Sequence, residues 1–175
     1  MFPVVHRVPS RAIFAAIFVA CACLIGFGLV LQHVKGLEPC PMCILQRYAF
    51  VVIGAVALIA AVHGPVGLGV RVYSFLIAAL AIAGGSVSVR QSFLQRFPAT
   101  EPANCMASDL DYLLGNFPLA QALPKIFAGS GDCAKVQWSL LGLSIAEWAL
   151  LWFAGFVALA VWLAFFRRRT APAVA

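Results

Sequence analysis

The sequence predicts an all-α membrane protein, a bundle of four transmembrane helices, from its composition and from the placement of its charges. Of the 175 residues, 63% are hydrophobic and 10% are charged, whereas soluble domains are about half apolar and about a quarter charged. Four stretches lack Asp, Glu, Lys and Arg, and each approaches the roughly 20 residues that a helix needs to cross the hydrocarbon core: 12–34, 48–70, 72–89 and 148–166. The composition therefore excludes both a water-soluble fold and a disordered chain.

Four helices are expected to cross the membrane within a single domain that covers the whole chain. Their predicted bounds are 12–31, 44–62, 71–89 and 144–166. Lipid offers the backbone no hydrogen-bond partners, so apolar runs of this length are helical, and the strand alternation of a membrane barrel is absent. Gly64, Pro65, Gly67 and Gly69 predict a loop of about eight residues between the second and third spans.

The basic residues predict the orientation of the bundle, since cytoplasmic loops carry the excess of Lys and Arg. An even number of spans puts both termini on one side, with six basic residues and no acidic residue: Arg7, Arg11, Arg71, Arg167, Arg168 and Arg169. All six acidic residues fall on the other side. Both termini are therefore predicted to be cytoplasmic, with outer loops over about 32–43 and 90–143. The net charge of +6 is an orientation signal, and no nucleic-acid partner is expected.

The second outer loop is long enough to have a structure of its own. Ser108, followed by Asp109 and Asp111, resembles the start of a helix, because a hydroxyl can cap it and acidic side chains suit its first turn. Apolar residues then recur at helical spacing up to Phe117. We expect a short interfacial helix lying on the membrane surface, or alternatively packed on the ends of the bundle helices.

Two of the six cysteines lie within the first span. Cys21 and Cys23 are two positions apart on a helix, so their side chains point to nearly opposite faces and cannot bridge each other. Both are predicted to be small buried hydrophobic residues. The apolar run continues well past Cys21, further than the core of a cleaved signal peptide, so the first helix is expected to be retained.

The other four cysteines fall on the outer side, and two of them form a Cys-x-x-Cys motif, Cys40 and Cys43. The motif lowers the pKa of a thiol, and Cys43 immediately precedes the second span, where the helix dipole favours a thiolate. Arg47 lies one turn deeper on the same face; it either serves a functional site or extends to the interface. No second motif or pair of histidines supports a zinc site, so no metal is predicted.

These features suggest a redox relay. A reactive disulfide beside a cation in the upper bilayer could pass electrons to a lipid-soluble quinone, with the guanidinium of Arg47 stabilising negative charge on a quinone oxygen. Cys105 and Cys133, in the second outer loop, could exchange with an external dithiol protein. A structural disulfide between these two cysteines is the alternative that their positions leave open.

At these residues the chain resembles the DsbB family of bacterial disulfide bond formation proteins. Two segments carry the resemblance, in order and at fitting spacing: residues 37–47, LEPCPMCILQR, and residues 130–148, SGDCAKVQWSLLGLSIAEW. Residues 32–34 and 94–98 add weaker matches. The resemblance covers residues 10–166 in outline, and it implies a four-helix protein of the bacterial inner membrane.

The resemblance also implies an activity. It predicts a thiol:quinone oxidoreductase that reoxidises DsbA, a periplasmic thioredoxin-fold protein, and passes the electrons to ubiquinone or menaquinone. Cys105 and Cys133 would then exchange with DsbA, and Cys40 and Cys43 would form the quinone-coupled pair. Cys40 and Cys105 would bond transiently as electrons cross between the loops. Arg47 matches the quinone-site arginine of the family. A strong oxidant such as DsbA, at about −120 mV, needs an acceptor of higher potential.

Two departures from the family pattern and two rival functions remain. Gln91 stands where a histidine can occur in the family, so it is predicted as a second quinone contact that can donate a hydrogen bond without carrying charge. The segment between Cys105 and Cys133 has little detailed similarity to the family.

One rival function is a four-helix oxidoreductase like vitamin K epoxide reductase, in which the Cys-x-x-Cys motif lies late in the chain. The other is a transport or structural protein whose loop disulfides only stabilise it.

Overall fold

Four long apolar helices dominate the computed structural model, which describes residues 9–37, 39–97, 136 and 138–166. The helices are α1 (Ser10–Lys35), α2 (Pro41–His63), α3 (Leu68–Arg96) and α4 (Ile145–Val161), and α4 continues as a π-helical turn over Trp162–Phe166. Within the described residues, all four are long and apolar enough to cross a membrane. The predicted helical bundle is therefore confirmed.

The helices extend beyond the predicted spans. α1 continues to Lys35 and α3 to Arg96, because outside the hydrocarbon core water can solvate charged side chains while the helix persists. The connection between α2 and α3 is residues 64–67, so the expectation of a loop of about eight residues was wrong. Gly64 closes α2 at a positive φ of 62°, and α3 begins four residues later, at Leu68.

The helices pack in chain order, α1 against α2, α2 against α3 and α3 against α4. In the core, the rings of Phe50 and Phe153 stack with centroids 4.2 Å apart. Gly84 lets α3 approach this stack, because a Cβ there would lie 2.5 Å from Phe153 Cζ and 2.9 Å from Ala49 Cβ. A side chain at this position would therefore force α3 away from its neighbours.

A two-stranded hairpin leads into α4, and Trp138, the residue before it, packs against Phe27 of α1. β1 (Ser139–Leu140) pairs antiparallel with β2 (Leu143–Ser144), and the turn between them has positive φ at Leu141 (55°) and Gly142 (79°), as a type I′ hairpin requires. Ser144 begins α4 with a capping box that includes Glu147. Glu147 also forms an ion pair with Arg96 at the end of α3.

One end of the bundle holds the Cys-x-x-Cys motif, and the other holds Arg11 and Arg71. We call the end that holds residues 36, 37 and 39–43, the end of α3 and the hairpin the cysteine end. We call the opposite end, with Arg11 and residues 61–71, the arginine end. Arg47 lies one helical turn inward from the cysteine end, in α2.

Of the two cysteines in α1, only Cys21 is buried. It packs against Gly54 of α2, where a Cβ would lie 3.2 Å from Cys21 Cβ. Cys23 is exposed on the surface of the bundle, so the prediction that both are buried was wrong for Cys23. The rotation of about 200° between them explains the difference. Cys105, Cys133 and the expected interfacial helix lie outside the described residues.

Candidate active site

The Cys-x-x-Cys motif forms the beginning of α2. Cys40 is the N-cap residue, with its sulfur accepting the backbone N–H of Cys43 at 3.4 Å, and Pro41 occupies the first turn. Proline suits that position because its missing N–H would have no partner within the helix. The two sulfurs are 3.1 Å apart, close enough to react with each other. Cys40 is 6% exposed, whereas Cys43 is half-buried.

The start of the helix gives the motif a favourable electrostatic environment. The first N–H groups of a helix point outward and carry a partial positive charge, which stabilises a nearby thiolate. Cys43 is the third residue of α2, so its sulfur lies within this field. The structure therefore places Cys43 at the N-terminus of a helix, as the sequence predicted.

Two buried amides lie behind the sulfurs within the bundle, and one of them, Gln91, contacts both sulfurs. Gln91 Nε2 donates to Cys43 Sγ at 3.2 Å and to Cys40 Sγ at 3.5 Å. Gln91 Oε1 in turn accepts from Gln46 Nε2 at 2.8 Å. Gln91 is 2% exposed and Gln46 is 3% exposed, so both amides are held in place by hydrogen bonds in an environment from which water is largely excluded.

Arg47 is fixed by two hydrogen bonds to α1. Its Nη1 donates to Gln32 Oε1 at 2.6 Å, and its Nη2 donates to the carbonyl oxygen of Gly28 at 3.0 Å. These bonds use two of the five N–H groups of a guanidinium. Both acceptors lie on one helix, so they determine the direction in which the charged group points.

A cavity of about 250 Å³ lies between α1, α2, α4 and the hairpin. Its polar lining includes the sulfur-bearing Cys43, Gln46, Arg47 and Gln32, and its remaining walls are mainly aliphatic and aromatic, among them Phe27, Phe50, Trp138, Trp148 and Trp152. Trp138 packs edge-on against Phe27 with centroids 5.5 Å apart. Trp148 Nε1 donates to the carbonyl oxygen of Leu140 at 3.1 Å, which ties the hairpin to α4.

The cavity has the properties of a site for a flat, largely apolar molecule. Such sites combine apolar walls with a few polar groups that fix orientation. Here the polar groups include a sulfur at a helix N-terminus and a guanidinium one turn deeper in the same helix. α1 and α4 are not among the closely packed helix pairs of the described residues, which leaves the space between them for the cavity.

Comparison with known proteins assigns the chain to a family. The model of a family described as "Disulfide bond formation protein DsbB" matches residues 10–163. The chain belongs to the DsbB family. It is 53% identical over 158 residues to the disulfide bond formation protein B of Azoarcus sp. (strain BH72), covering 90% of this chain and 94% of that protein. It is 57% identical over 142 residues to that of Aromatoleum aromaticum, covering 81% and 84%.

The family resemblance predicted from the sequence is thus confirmed, and with it a disulfide bond formation protein built on four candidate membrane-spanning helices. A more distant relative, disulfide bond formation protein B 1 of Pseudomonas aeruginosa, is 40% identical over 151 residues, or 86% of this chain and 92% of the relative. The name that these relatives share indicates a disulfide oxidoreductase.

The structure brings together four of the residues singled out in the sequence, because Cys43 and Arg47 line the cavity, Cys40 contacts Cys43, and Gln91 contacts both sulfurs. Gln91 lies against the sulfurs and is not among the residues that line the cavity. The quinone contact predicted for Gln91 stays a prediction.

Sequence reasoning missed the contribution of Gln46 and gave Gln32 only a minor place. A signal for both was available, because each is a polar amide within or beside an apolar run, and Gln46 is three residues from Cys43 and adjacent to Arg47. The place of Trp138 and Trp148 at the cavity was not predicted, although both lie in the segment that resembles the family, since it depends on how the chain before α4 folds back onto the bundle.

Proposed function

We propose that this protein is a thiol:quinone oxidoreductase of the bacterial inner membrane. It would accept electrons from a DsbA-like thioredoxin-fold dithiol protein in the periplasm and pass them to ubiquinone or menaquinone, sustaining disulfide formation in other proteins. The observation that carries the proposal is that Cys43 and Arg47 line the same apolar cavity within the bundle. A thiolate and a fixed cation in a site shaped for an apolar molecule are the groups that this reaction needs.

The residues fit a quinone on three counts. The walls are apolar and aromatic, as a ring with a lipid-like tail requires. The reactive sulfur is at the wall, so it can reach the ring. The guanidinium of Arg47 is oriented by Gly28 and Gln32, so it can donate hydrogen bonds to an oxygen on which negative charge develops.

When bound, a quinone supplies an acceptor for two electrons and two protons. The Cys43 thiolate provides the electron pair, and the Cys40 sulfur, 3.1 Å away, closes the S–S bond. Two thiols thereby become one disulfide, and the electrons and protons that they lose convert the quinone to hydroquinone. The helix N-terminus lowers the cost of the thiolate at Cys43, and the apolar walls exclude water from the reacting groups.

The second cysteine pair connects this site to the partner protein. In our proposal, Cys105 and Cys133 form the disulfide that the reduced partner attacks, and a transient bond between Cys105 and Cys40 passes the electrons on. Cys40 is at the outer end of α2, beside the short connection from α1, which suits exchange with a cysteine of an outer loop. Gln91 is proposed as a second quinone contact.

The proposed topology places the cysteine end in the periplasm and both termini in the cytoplasm. Its support is the distribution of basic residues, since Arg11 and Arg71 lie at the arginine end, opposite the Cys-x-x-Cys motif. The oxidising periplasm is also where disulfides persist. The spans are proposed at residues 12–31, 44–62, 71–89 and 144–166, within or directly adjoining the four helices.

The experiment is a coupled turnover with the purified full-length protein in detergent. A reduced DsbA-like protein is supplied with ubiquinone or menaquinone, and both quinone absorbance and partner thiols are followed. We expect one hydroquinone for each disulfide formed, with at least one of the two quinones, and loss of turnover in Cys43→Ser. Cys23→Ser is the matched control, because it removes a thiol from an exposed helix face and should leave turnover unchanged.

Two results would contradict the proposal. If neither quinone is reduced, the proposed quinone-coupled step is wrong. Unchanged turnover in Cys43→Ser would remove the role of the sulfur at the cavity. The rival function, a transport or structural protein, predicts instead that the loop disulfides stay inert towards the reduced partner and that no mixed disulfide can be trapped.

A further inference from the structure

The amides of Gln91 and Gln46 form a hydrogen-bonded chain that ends on the two sulfurs of the Cys-x-x-Cys motif. Gln46 donates to Gln91, and Gln91 donates to both sulfurs. We propose that the two glutamines are positioning residues for the reacting thiolate of Cys43, which they stabilise with a neutral donor. This inference rests on the proposed function and deepens it, because it assigns roles to the polar residues behind the sulfur.

The direction of the hydrogen bonds follows from the chemistry of the sulfur. A thiolate can only accept, so the NH₂ group of Gln91 faces the sulfurs and its carbonyl oxygen faces away from them. That oxygen, buried with the rest of the side chain, needs a donor of its own. Gln46 supplies it at 2.8 Å, and therefore fixes Gln91 in the orientation that stabilises the anion.

Because the site is buried, the hydrogen bond donated by Gln91 contributes strongly to the stability of a thiolate. Taking a thiolate out of water is costly unless hydrogen bonds replace its hydration, and a hydrogen bond to the charged form lowers the pKa of an acid. Gln91 is nearer to Cys43, at 3.2 Å, than to Cys40, at 3.5 Å. Cys40 also receives the backbone N–H of Cys43, so each sulfur has a donor.

The choice of an amide has a specific consequence. A glutamine side chain does not titrate, so its hydrogen bond to the sulfur is the same at every physiological pH. A histidine or a carboxylate at the same place would instead make the stability of the thiolate depend on its own protonation state. The pair should therefore keep Cys43 reactive over a broad pH range.

The test measures the ionisation of Cys43 directly and needs neither quinone nor partner. The full-length protein with Cys40→Ser is reduced, and the rate of alkylation at Cys43 by iodoacetamide is followed against pH, with the labelled peptide identified by mass spectrometry. Adding Gln91→Leu should move the midpoint up by about one pH unit, the size expected for one hydrogen bond to a charged group. Gln91→Glu should move it further, because a carboxylate repels the thiolate.

Two further variants separate positioning from general disruption. Gln46→Leu should move the midpoint in the same direction but by less, since it removes the group that orients Gln91 and leaves the donor itself. Gln95→Leu is the matched control, because it removes the same amide one turn further along α3, and it should leave the midpoint unchanged. If Gln91→Leu does not fold, Gln46→Leu and Gln91→Glu still decide the question.

The outcome would overturn the inference if the midpoint in Gln91→Leu equals that of the parent, or if Gln95→Leu shifts it equally. The proposed function fails separately, through absence of quinone reduction in the unaltered protein. An upward shift of the alkylation midpoint in Gln91→Leu without quinone turnover in the unaltered protein would thus support the role of the two amides and refute the proposed reaction. Quinone turnover without such a shift would support the reaction and refute the role of the amides.

Discussion

Two arginines join the same two helices at opposite ends of the bundle, and their partners show what each is for. Arg11 of α1 donates to the carbonyl oxygens of Ala61 and Val62 in α2, at 2.9 and 3.3 Å. Arg47 of α2 donates to the carbonyl oxygen of Gly28 in α1, at 3.0 Å. In each case a guanidinium from one helix binds the backbone of the other.

The difference lies in whether the backbone needs the bond. α2 ends at His63, so the carbonyls of Ala61 and Val62 belong to its last turn and have no N–H four residues on within the helix. Gly28 lies in the interior of α1, where α-helical geometry already pairs its carbonyl oxygen with the N–H four residues on. Arg11 therefore completes a helix end, whereas the bond of Arg47 serves to orient the guanidinium at the cavity.

The largest expected effect is at Arg47. Arg47→Ala should lower the rate of quinone reduction by about 10²-fold, the typical cost of losing one donor to a developing negative charge. Arg47→Lys should recover part of the rate, because it keeps the charge and loses the fork of donors. The measurement is the coupled turnover, on folded protein isolated by size-exclusion chromatography. If folded Arg47→Ala reduces quinone as fast as the parent, Arg47 has no role in the reaction and, like Arg11, only joins the two helices.

Arg11 should affect stability alone. Arg11→Ala removes two hydrogen bonds to the end of α2, and because the side chain is exposed, water replaces part of what is lost. We expect the free energy of unfolding to fall by about 1 kcal/mol, with turnover unchanged. Thermal unfolding in detergent measures the change. Arg71→Ala is the control, since it removes a charge from the same end but no hydrogen bond within the described residues, and a larger loss there would contradict the explanation.

The smallest expected effect concerns the hydrogen bond between His63 and Tyr73 at the arginine end. His63 Nδ1 and Tyr73 Oη are 3.0 Å apart, and the two rings also pack edge-on. Tyr73→Phe keeps the ring contact and loses the hydrogen bond, so the free energy of unfolding should fall by about 0.5 kcal/mol. Tyr48→Phe, on an exposed face of α2, is the matched substitution. A decrease in turnover in Tyr73→Phe would show that the arginine end takes part in the reaction.

Much of the bundle could be predicted because lipid imposes simple rules. A run without charges as long as 48–70 has few structures available to it in a bilayer, and a helix covers most of that run. The extension of α3 to Arg96 was not predictable in the same way. Arg90 and Arg96 resemble loop residues in sequence, and the partner that holds Arg96, Glu147, is 51 residues away.

The site was predictable only where its residues share one helix. Cys43 and Arg47 lie in α2 and Cys40 caps its start, so helical geometry alone relates the three residues. Gln91 comes to the sulfurs from α3, across 48 residues of sequence, and no local pattern encodes that contact. The cavity depends in addition on Trp138, the residue before the hairpin, which packs against Phe27 of α1.

The tryptophans around the cavity make the protein its own optical probe. The chain has four tryptophans, and Trp138, Trp148 and Trp152 all line the cavity. Most of the intrinsic fluorescence therefore originates within contact distance of whatever occupies that space. An electron-poor ring there would quench the emission and an aliphatic detergent tail would not, so a titration in a fluorimeter can distinguish the two occupants without any chemical label.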